Sequence, residues 1–433
     1  MRPAPLTPRT IAIAGLAALA VAMGIGRFAF TPIMPMMLRD GGVDLPGASW
    51  LASANYLGYF VGALVLTIEP WLRRRLAWRS RDDATAPVAR GLAATALLTL
   101  AMALPWPAAW PALRFAAGVA SAYVFVHAAG WFLSQLAARG ASGQAGVMFA
   151  GPGAGIVGSG LLASAMVAWD LRAATAWVAF AAVAASLTLW IGTVFRATSR
   201  SSAGVAFAAG DHAARADDRQ PVAAHGSTRV RHRHAEVAVL AFAYGLSGFG
   251  YIVTATFLPV IARAAVPGSP LVDLFWPIFG AGIVCGALAS TRLHPAIDRR
   301  LLLAGAYALQ AAGIALGLAW PSEPGFAIGS LMLGLPFTLI TLWAIEEVRR
   351  IRPDATASMT GLTTTMFALC QAAGPSFVAA MLRATGGDAD AAFARSLIVA
   401  AAVLVVGAAV FAASARTWPR APSVPARITR SQP

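Results

Sequence analysis

Apolar stretches of about 20 residues, each long enough to cross a hydrocarbon core of roughly 30 Å as a helix, follow one another along almost the whole chain. A helix satisfies its own backbone where lipid offers no hydrogen-bond partner, so the pattern predicts an all-α membrane protein with about 12 transmembrane helices. The predicted spans cover residues 10–38, 48–68, 90–108, 111–136, 144–168, 172–195, 236–264, 270–292, 300–320, 325–345, 357–383 and 392–415.

One long polar interruption, residues 196–235, separates the sixth predicted span from the seventh. It is rich in Ala, Arg, His and Asp and has little to pack, so it is predicted to be a disordered cytoplasmic linker. Its histidines are irregularly spaced and have no cysteine among them, which argues against a metal site. The expected organisation is an N-terminal half (1–195), the linker, a C-terminal half (236–415) and a cytoplasmic tail (416–433).

The two halves share glycines and prolines at a nearly constant offset. A shift of 224 residues pairs Gly24 with Gly248, Gly26 with Gly250, Pro35 with Pro259, Gly58 with Gly282 and Gly62 with Gly286, and a shift of 223 pairs Gly151 with Gly374 and Pro152 with Pro375. This offset predicts two six-helix repeats with a substrate site between them, near the bilayer midplane.

Composition agrees with the span pattern, since 58% of the residues are hydrophobic, 12% are charged and the mean hydropathy is +0.68. The net charge of +15 would suggest nucleic acid as a partner of a soluble protein. Here all 33 basic residues are arginines, and 26 of them fall on one predicted side of the membrane against 5 on the other. This asymmetry predicts a plasma (inner) membrane protein with both termini cytoplasmic, and no nucleic-acid partner.

Three predicted helices carry distinctive segments. They are Gly24-Ile-Gly-Arg-Phe-Ala-Phe-Thr-Pro32 on the first, Asn55-Tyr-Leu-Gly-Tyr59 on the second and Leu113-Arg-Phe-Ala-Ala-Gly118 on the fourth. With the twelve-span pattern, they resemble the YbfB/YjiJ branch of the major facilitator superfamily. The resemblance implies that superfamily's fold and secondary transport, but it supplies no substrate. The superfamily's Gly-x-x-x-Asp-Arg-x-Gly-Arg loop is missing, and Arg73, Arg74 and Arg75 stand in its place.

Arg27 is the most informative single residue, because an arginine near the centre of a span costs roughly 2.5 to 3.5 kcal/mol unless it faces protein or water. Met23, Gly24, Thr31 and Met34 share its helix face, as expected for the wall of a cavity. A planar guanidinium is well shaped to bind an anionic group of a substrate. The alternative is an internal contact with a carbonyl or carboxylate of a neighbouring helix.

Other polar residues within the spans are candidates for substrate contacts, although each could instead make a hydrogen bond between helices. These candidates are Thr31, Asn55, Tyr59, Tyr123, Tyr251 and Gln371. Tyr251 occupies the repeat position of Arg27, so it is expected to face Arg27 from the other half. His127 is the candidate proton site, because imidazole titrates near neutral pH and no Asp or Glu lies in the middle of a span. A neutral, packed histidine is the alternative.

Arg114 lies a few residues from the outer end of its span, so its side chain is expected to reach headgroups or a loop and to have a structural role. The stretch from Arg114 to Gly118 also resembles the superfamily's fourth-helix Arg-x-x-x-Gly element, which implies a coupling role as the alternative. The small residues and prolines of the repeats are assigned to helix packing or rocking. They are Gly58, Gly62, Gly151, Pro152, Gly282, Gly286, Gly374 and Pro375.

The chain has no Walker sequence and no zinc-protease motif, so an enzyme is not expected and no cofactor is predicted. The predicted function is secondary transport of a small anionic or carboxylate-bearing solute by alternating access. The protein is expected to act as a monomer surrounded by lipid, with protons as a candidate coupling ion. The alternatives are efflux of lipophilic or cationic compounds and a membrane sensor that binds a ligand without moving it.

Overall fold

The computed structural model describes residues 6–75, 85–206, 227–290, 297–352 and 356–419, and this part of the chain is helical without strands. The helices are α1 (Pro8–Arg39, in three segments), α2 (Leu45–Arg75), α3 (Ala86–Ala101), α4 (Trp110–Ala137), α5 (Ala145–Phe149 and Gly151–Ala168), α6 (Ala173–Ala206), α7 (Ser227–Ala265), α8 (Phe275–Ser290), α9 (Arg299–Ala319), α10 (Glu323–Ile351), α11 (Thr356–Ala384) and α12 (Ala389–Thr417). Eleven of the described helices are long and apolar enough to cross a membrane, and α3 is a shorter apolar helix. The predicted fold class is confirmed. We call the side of the bundle on which α1 begins and α12 ends the terminal side, and the opposite one the distal side.

Two predicted boundaries differ from the structure. The third span was expected to reach residue 108, but α3 ends at Ala101. Pro105 and Pro107 follow in the turn, and a proline disfavours helical geometry in the residue before it. The helices also extend into the expected linker, because α6 continues to Ala206 and α7 begins at Ser227. Residues 207–226 and the tail beyond residue 419 lie outside the described residues.

The first helix contains a wide turn that the sequence pattern did not predict. Residues Pro8–Leu19 and Phe30–Arg39 are α-helical, but Ala20–Phe28 between them is π-helical. A π-helical segment pairs each N–H with the carbonyl five residues earlier, and such segments are rare and frequent at functional sites. Pro32 has no N–H to donate, so it leaves a carbonyl of this segment without a helical partner.

The repeat in the sequence is visible as equivalent helix contacts in the two halves. In each half the second helix of the repeat crosses the fourth at glycines that allow the backbones to touch. The contacts are Gly58 with Phe115 and Gly62 with Val119 in the first half, and Gly282 with Leu331 and Gly286 with Leu335 in the second. Similarly, Gly151 packs on α1 at Leu16, and Gly374 packs on α7 at Ile252. The glycines assigned to packing therefore lie at helix crossings.

The two halves pack on each other along two pairs of helices. Between α2 and α11, the hydroxyls of Ser53 and Ser376 lie 2.8 Å apart. Between α5 and α8, Gly153 lies against the backbone of Gly280, and the Ser164 hydroxyl donates at 3.1 Å to the carbonyl of Asp273, in the turn just before α8. Gly153 belongs to a Gly-x-Gly-x-x-Gly pattern, and its place on a membrane helix explains that pattern by close packing.

On the terminal side, a buried ion network ties the second half together. Arg300, 2% exposed, donates to Asp298 at 2.7 Å, to Glu236 at 3.3 Å and to the carbonyl of Ser414 at 3.1 Å. The fully buried Glu347 lies 3.6 Å from the same guanidinium. Four helices, α7, α9, α10 and α12, therefore meet at one charge cluster, whose pairing compensates its desolvation.

Candidate functional site

Arg27 lies at the end of the π-helical segment of α1, between the two halves. It is 2% exposed, and its Nη2 donates to Oε1 of Gln371 on α11. Its Nη1 contacts the sulfur of Met23 at 3.7 Å. The guanidinium carbon lies 3.8 Å from the ring centre of Tyr59, which is close enough for a cation–π interaction. Arg27 is thus enclosed by groups of both halves.

Gln371 connects Arg27 to Tyr251. The Nε2 of Gln371 donates to the Tyr251 hydroxyl, so Arg27, Gln371 and Tyr251 form one chain of hydrogen bonds from α1 through α11 to α7. The structure therefore places Tyr251 opposite Arg27, as its repeat position predicts. Three of the candidate residues, from two halves of the sequence, meet at this point.

Aromatic rings form the walls around this hydrogen-bonded chain. On the first half, the rings of Phe28 and Tyr56 lie 5.2 Å and 5.4 Å from the Arg27 guanidinium. On the second half, Tyr251 packs edge-on against Phe337, with 5.0 Å between the ring centres. The site is therefore apolar with a small number of polar groups, as small-molecule sites usually are.

The positive charge at this site has no partner of opposite sign within the described part of the chain. Arg27 forms no ion pair there, and its Nε has no hydrogen-bond partner. A cation out of contact with water is costly unless an anion or several strong acceptors compensate it. Gln371 supplies one neutral oxygen and Met23 a weak sulfur acceptor. Among the described residues, only neutral acceptors therefore compensate this buried charge.

Arg114 and Asn55 hold the backbone that carries Arg27. The guanidinium of Arg114 donates to the carbonyl of Gly26 at 3.3 Å and to that of Arg27 at 3.0 Å. The Asn55 amide also donates to Gly26, at 3.3 Å, and to the carbonyl of Arg114 at 2.9 Å. Pro32 has no N–H for a π-type bond to the Arg27 carbonyl, and Arg114 supplies a donor to that carbonyl.

The expected direction of the Arg114 side chain is wrong. Arg114 is 2% exposed and lies over the ring of Phe30, with 4.8 Å from the guanidinium carbon to the ring centre. It points into the bundle, where its guanidinium donates to the carbonyls of Gly26 and Arg27. Sequence spacing alone cannot reveal those acceptors. The proline five residues after Arg27 was the available signal.

Tyr123 and His127 lie on another face of α4. Their rings contact each other, with 4.5 Å between the centres, and Tyr123 lies beside Gly91 of α3. The contacts of Arg27 described above are made by other residues. Thr31 is buried one turn after Arg27. The assignments of Tyr123 and Thr31 to the substrate and of His127 to protons stay predictions.

Two residues that were not selected as substrate contacts from the sequence lie beside the site. Tyr56 and Thr256 join the halves by a hydroxyl pair at 3.2 Å, next to the Arg27 cluster. Tyr56 lies on the same helix as Asn55 and Tyr59, so its position in the aromatic segment was a usable signal, whereas Thr256 had none. Within the described ranges, no three His, Cys, Asp or Glu side chains come together as a metal site would require.

Two packed halves of six helices, joined across their interface at a buried cation, define a multi-pass membrane transporter. The family model described as "Uncharacterised MFS-type transporter YbfB" matches residues 19–412, so the chain belongs to this MFS-type transporter family. A solved structure of the nucleoside transporter NupG is similar in fold, with a TM-score of 0.66 and 15% sequence identity. The similarity covers 93% of this chain and 99% of that one. A search of curated proteins gave no match.

Proposed function

We propose that this protein is a secondary active transporter that moves a small anionic or carboxylate-bearing solute by alternating access. The observation that carries the proposal is the buried Arg27 guanidinium, which has no carboxylate partner in the described part of the chain. An intramembrane ionisable residue of this kind is by default a functional site. The solute anion supplies the missing negative charge.

The contact between Arg27 and Gln371 gives this proposal a mechanism. When the halves separate, Gln371 leaves the guanidinium and two N–H groups become available to a carboxylate, which accepts them as a bidentate pair. The bound solute then screens the cation, and the halves close around it. The transporter can therefore close both when empty and when loaded. In the empty state Gln371 accepts from the Arg27 guanidinium, and in the loaded state the solute does. The arginine distribution supports a plasma-membrane location with both termini cytoplasmic.

The test is ligand-induced thermal stabilisation of the purified protein by a panel of anions, zwitterions, nucleosides, sugars and lipophilic cations. We expect stabilisation by an anion, with an affinity that falls at least about tenfold in Arg27→Ala. Arg27→Lys keeps the charge but loses the planar fork, so its affinity should be intermediate. Arg383→Ala, which removes an exposed arginine at the distal side, is the matched control. Anion stabilisation that is the same in Arg27→Ala as in wild type contradicts the proposal.

A nucleoside is the second candidate substrate. NupG is a nucleoside transporter, and the site offers an amide at Gln371 and aromatic rings at Tyr56 and Tyr59 for hydrogen bonding and stacking. Because a nucleoside is neutral, its binding should depend on Gln371 more than on the charge of Arg27. Stabilisation by nucleosides that is lost in Gln371→Ala but kept in Arg27→Lys would favour this candidate.

The same panel separates the remaining alternatives. Transport of lipophilic cations in sealed vesicles, equal in wild type and Arg27→Ala, would favour efflux of such compounds. Saturable binding with no counterflow in sealed vesicles would favour a sensor that does not transport. An anion that binds and also shows counterflow would support the proposed transporter.

Proton coupling through His127 is a separate prediction. Imidazole changes its charge between about pH 5 and 8, so we expect uptake to vary with pH across that range in wild type. In His127→Gln, which keeps hydrogen-bonding capacity but cannot titrate, this dependence should be lost. The measurement is solute uptake in vesicles with a fixed solute gradient and a varied external pH. A pH profile that is the same in both proteins removes His127 as the coupling site.

A further inference from the structure

A cavity of about 250 Å³ opens at the distal side of the second half, away from Arg27. It lies between α7, α9, α10 and α12, and therefore within one half. Most of its wall is apolar, with side chains that include Leu258, Ile314, Phe326, Leu333 and Leu397. Its size and lining are suited to an apolar group rather than to bulk water.

Two hydroxyls interrupt the apolar wall. Ser330 on α10 is 3% exposed, and neither its Oγ nor the buried Oγ1 of Thr254 on α7 has a hydrogen-bond partner in the described part of the chain. Helical Ser and Thr hydroxyls usually bond to a carbonyl of the preceding turn, as Thr95 and Ser164 do at 2.9 Å. Buried polar atoms without a partner are unusual, and a ligand group is one way to satisfy them.

Asp390 lies at the mouth of this cavity. It is exposed in the first turn of α12, and it is the one charged side chain among the described residues that line the cavity. It makes no ion pair with any residue in the described ranges. The lining therefore carries one carboxylate, the wall is apolar, and two hydroxyls without a hydrogen-bond partner in the described part of the chain lie in it.

We propose that this cavity binds a lipophilic amine, that is, a molecule with an apolar body and one ammonium group. The ammonium meets Asp390 at the mouth, where opposite charges attract and a fatty-acid carboxylate is repelled. The apolar body fills the cavity, and a hydroxyl, ether or carbonyl on it can bond with Ser330 or Thr254. The cavity is separate from the solute site, since none of the described residues that line it is a hydrogen-bond partner of Arg27 or Gln371.

The experiment is photolabelling of the full chain in lipid nanodiscs with a long-chain alkylamine that carries a diazirine in its chain. The fatty acid of the same length, with the same diazirine, is the charge-reversed probe. Labelled residues are mapped by mass spectrometry. We expect the amine to label the cavity lining at least about fivefold more than the acid.

Variants tie this labelling to the cavity. Gly317 lines it, and a Cβ at this position meets only the Phe326 ring, at 3.6 Å, so Gly317→Leu should fold and occupy the space. Gly305→Leu, in open space on the same helix, is the control. Asp390→Asn should remove the preference for the amine, and Glu323→Gln, which removes a distal charge outside the lining, should not.

Three results decide the proposal. Amine labelling that is lost in Gly317→Leu but kept in Gly305→Leu, with the charge preference lost in Asp390→Asn, supports it. Equal labelling by amine and acid would show that an ordinary lipid tail occupies the cavity, and labelling unchanged by Gly317→Leu would place the probe elsewhere. Each of these two results overturns the proposal. Arg27→Ala should leave the labelling unchanged, so failure of the proposed transport function would not affect the outcome.

Discussion

Gly118→Leu is expected to prevent the protein from folding. Gly118 on α4 lies against α2, where an added Cβ would collide with the carbonyl oxygen of Asn55 and lie 2.7 Å from the nitrogen of Tyr59. Both neighbours are helical backbone, which cannot move aside as the end of a flexible side chain could. We expect the free energy of unfolding to fall by more than about 4 kcal/mol, a loss that single substitutions reach only when they disrupt a core severely.

The measurement is the yield of monodisperse protein and its melting temperature after extraction in mild detergent. Gly130→Leu provides the matched control, because Gly130 lies on the same helix with no neighbour within 4 Å of an added Cβ. We expect near wild-type yield and melting for Gly130→Leu and no folded protein for Gly118→Leu. A folded Gly118→Leu protein with wild-type melting would mean that α2 and α4 can separate without cost.

The helix crossings could be predicted from the sequence, because membrane helices pack through small residues that recur at a regular spacing. Gly58 and Gly62 on one helix and Gly282 and Gly286 on another were recognised by that spacing and by their common offset. Their partners could not be recognised in the same way. The surfaces they touch are backbone carbonyls, such as that of Phe115, and every residue has a carbonyl.

Part of the candidate site could also be predicted, because two of its residues are recognisable from the chain alone. Arg27 was recognisable by its charge inside an apolar stretch, and Tyr251 by its repeat position, since both are properties of the chain itself. The π-helical segment could not be recognised from the sequence, because its stability depends on hydrogen-bond donors from distant residues. Arg114 and Asn55 contribute those donors from α4 and α2. Local sequence shows only Pro32, which has no N–H for the Arg27 carbonyl five residues earlier.

The carbonyl of Gly26 is therefore a junction of three helices. It belongs to α1, it accepts from Arg114 of α4, and it accepts from Asn55 of α2. Asn55 also binds the carbonyl of Arg114 itself. The Arg27 side chain begins one residue further along, so its position is set by this junction. Preorganisation of this kind keeps a binding group in place before the ligand arrives.

Arg114→Leu is expected to destabilise the protein by about 3 kcal/mol or more and to weaken anion binding at Arg27. The substitution leaves the carbonyls of Gly26 and Arg27 short of buried charged donors, each of which is worth roughly 1.5 to 3 kcal/mol. Arg114→Lys should recover only part of the loss, because a single ammonium does not match the fork that reaches both carbonyls. Melting temperature and anion-induced stabilisation are the two measurements. Arg139→Leu, at the terminal-side end of the same helix, is the control.

A double-mutant cycle shows whether Arg114 acts through the junction. Asn55→Ala and Arg114→Leu each remove a donor from the carbonyl of Gly26. In a protein that already carries one substitution, the other therefore removes less stabilisation than it does in wild type. We expect the double variant to lose less stability than the sum of the two, with a coupling of about 0.5 to 3 kcal/mol. Strict additivity would mean that the two side chains act independently. Loss of anion binding in Arg114→Leu at unchanged melting temperature would instead place Arg114 in direct contact with the solute.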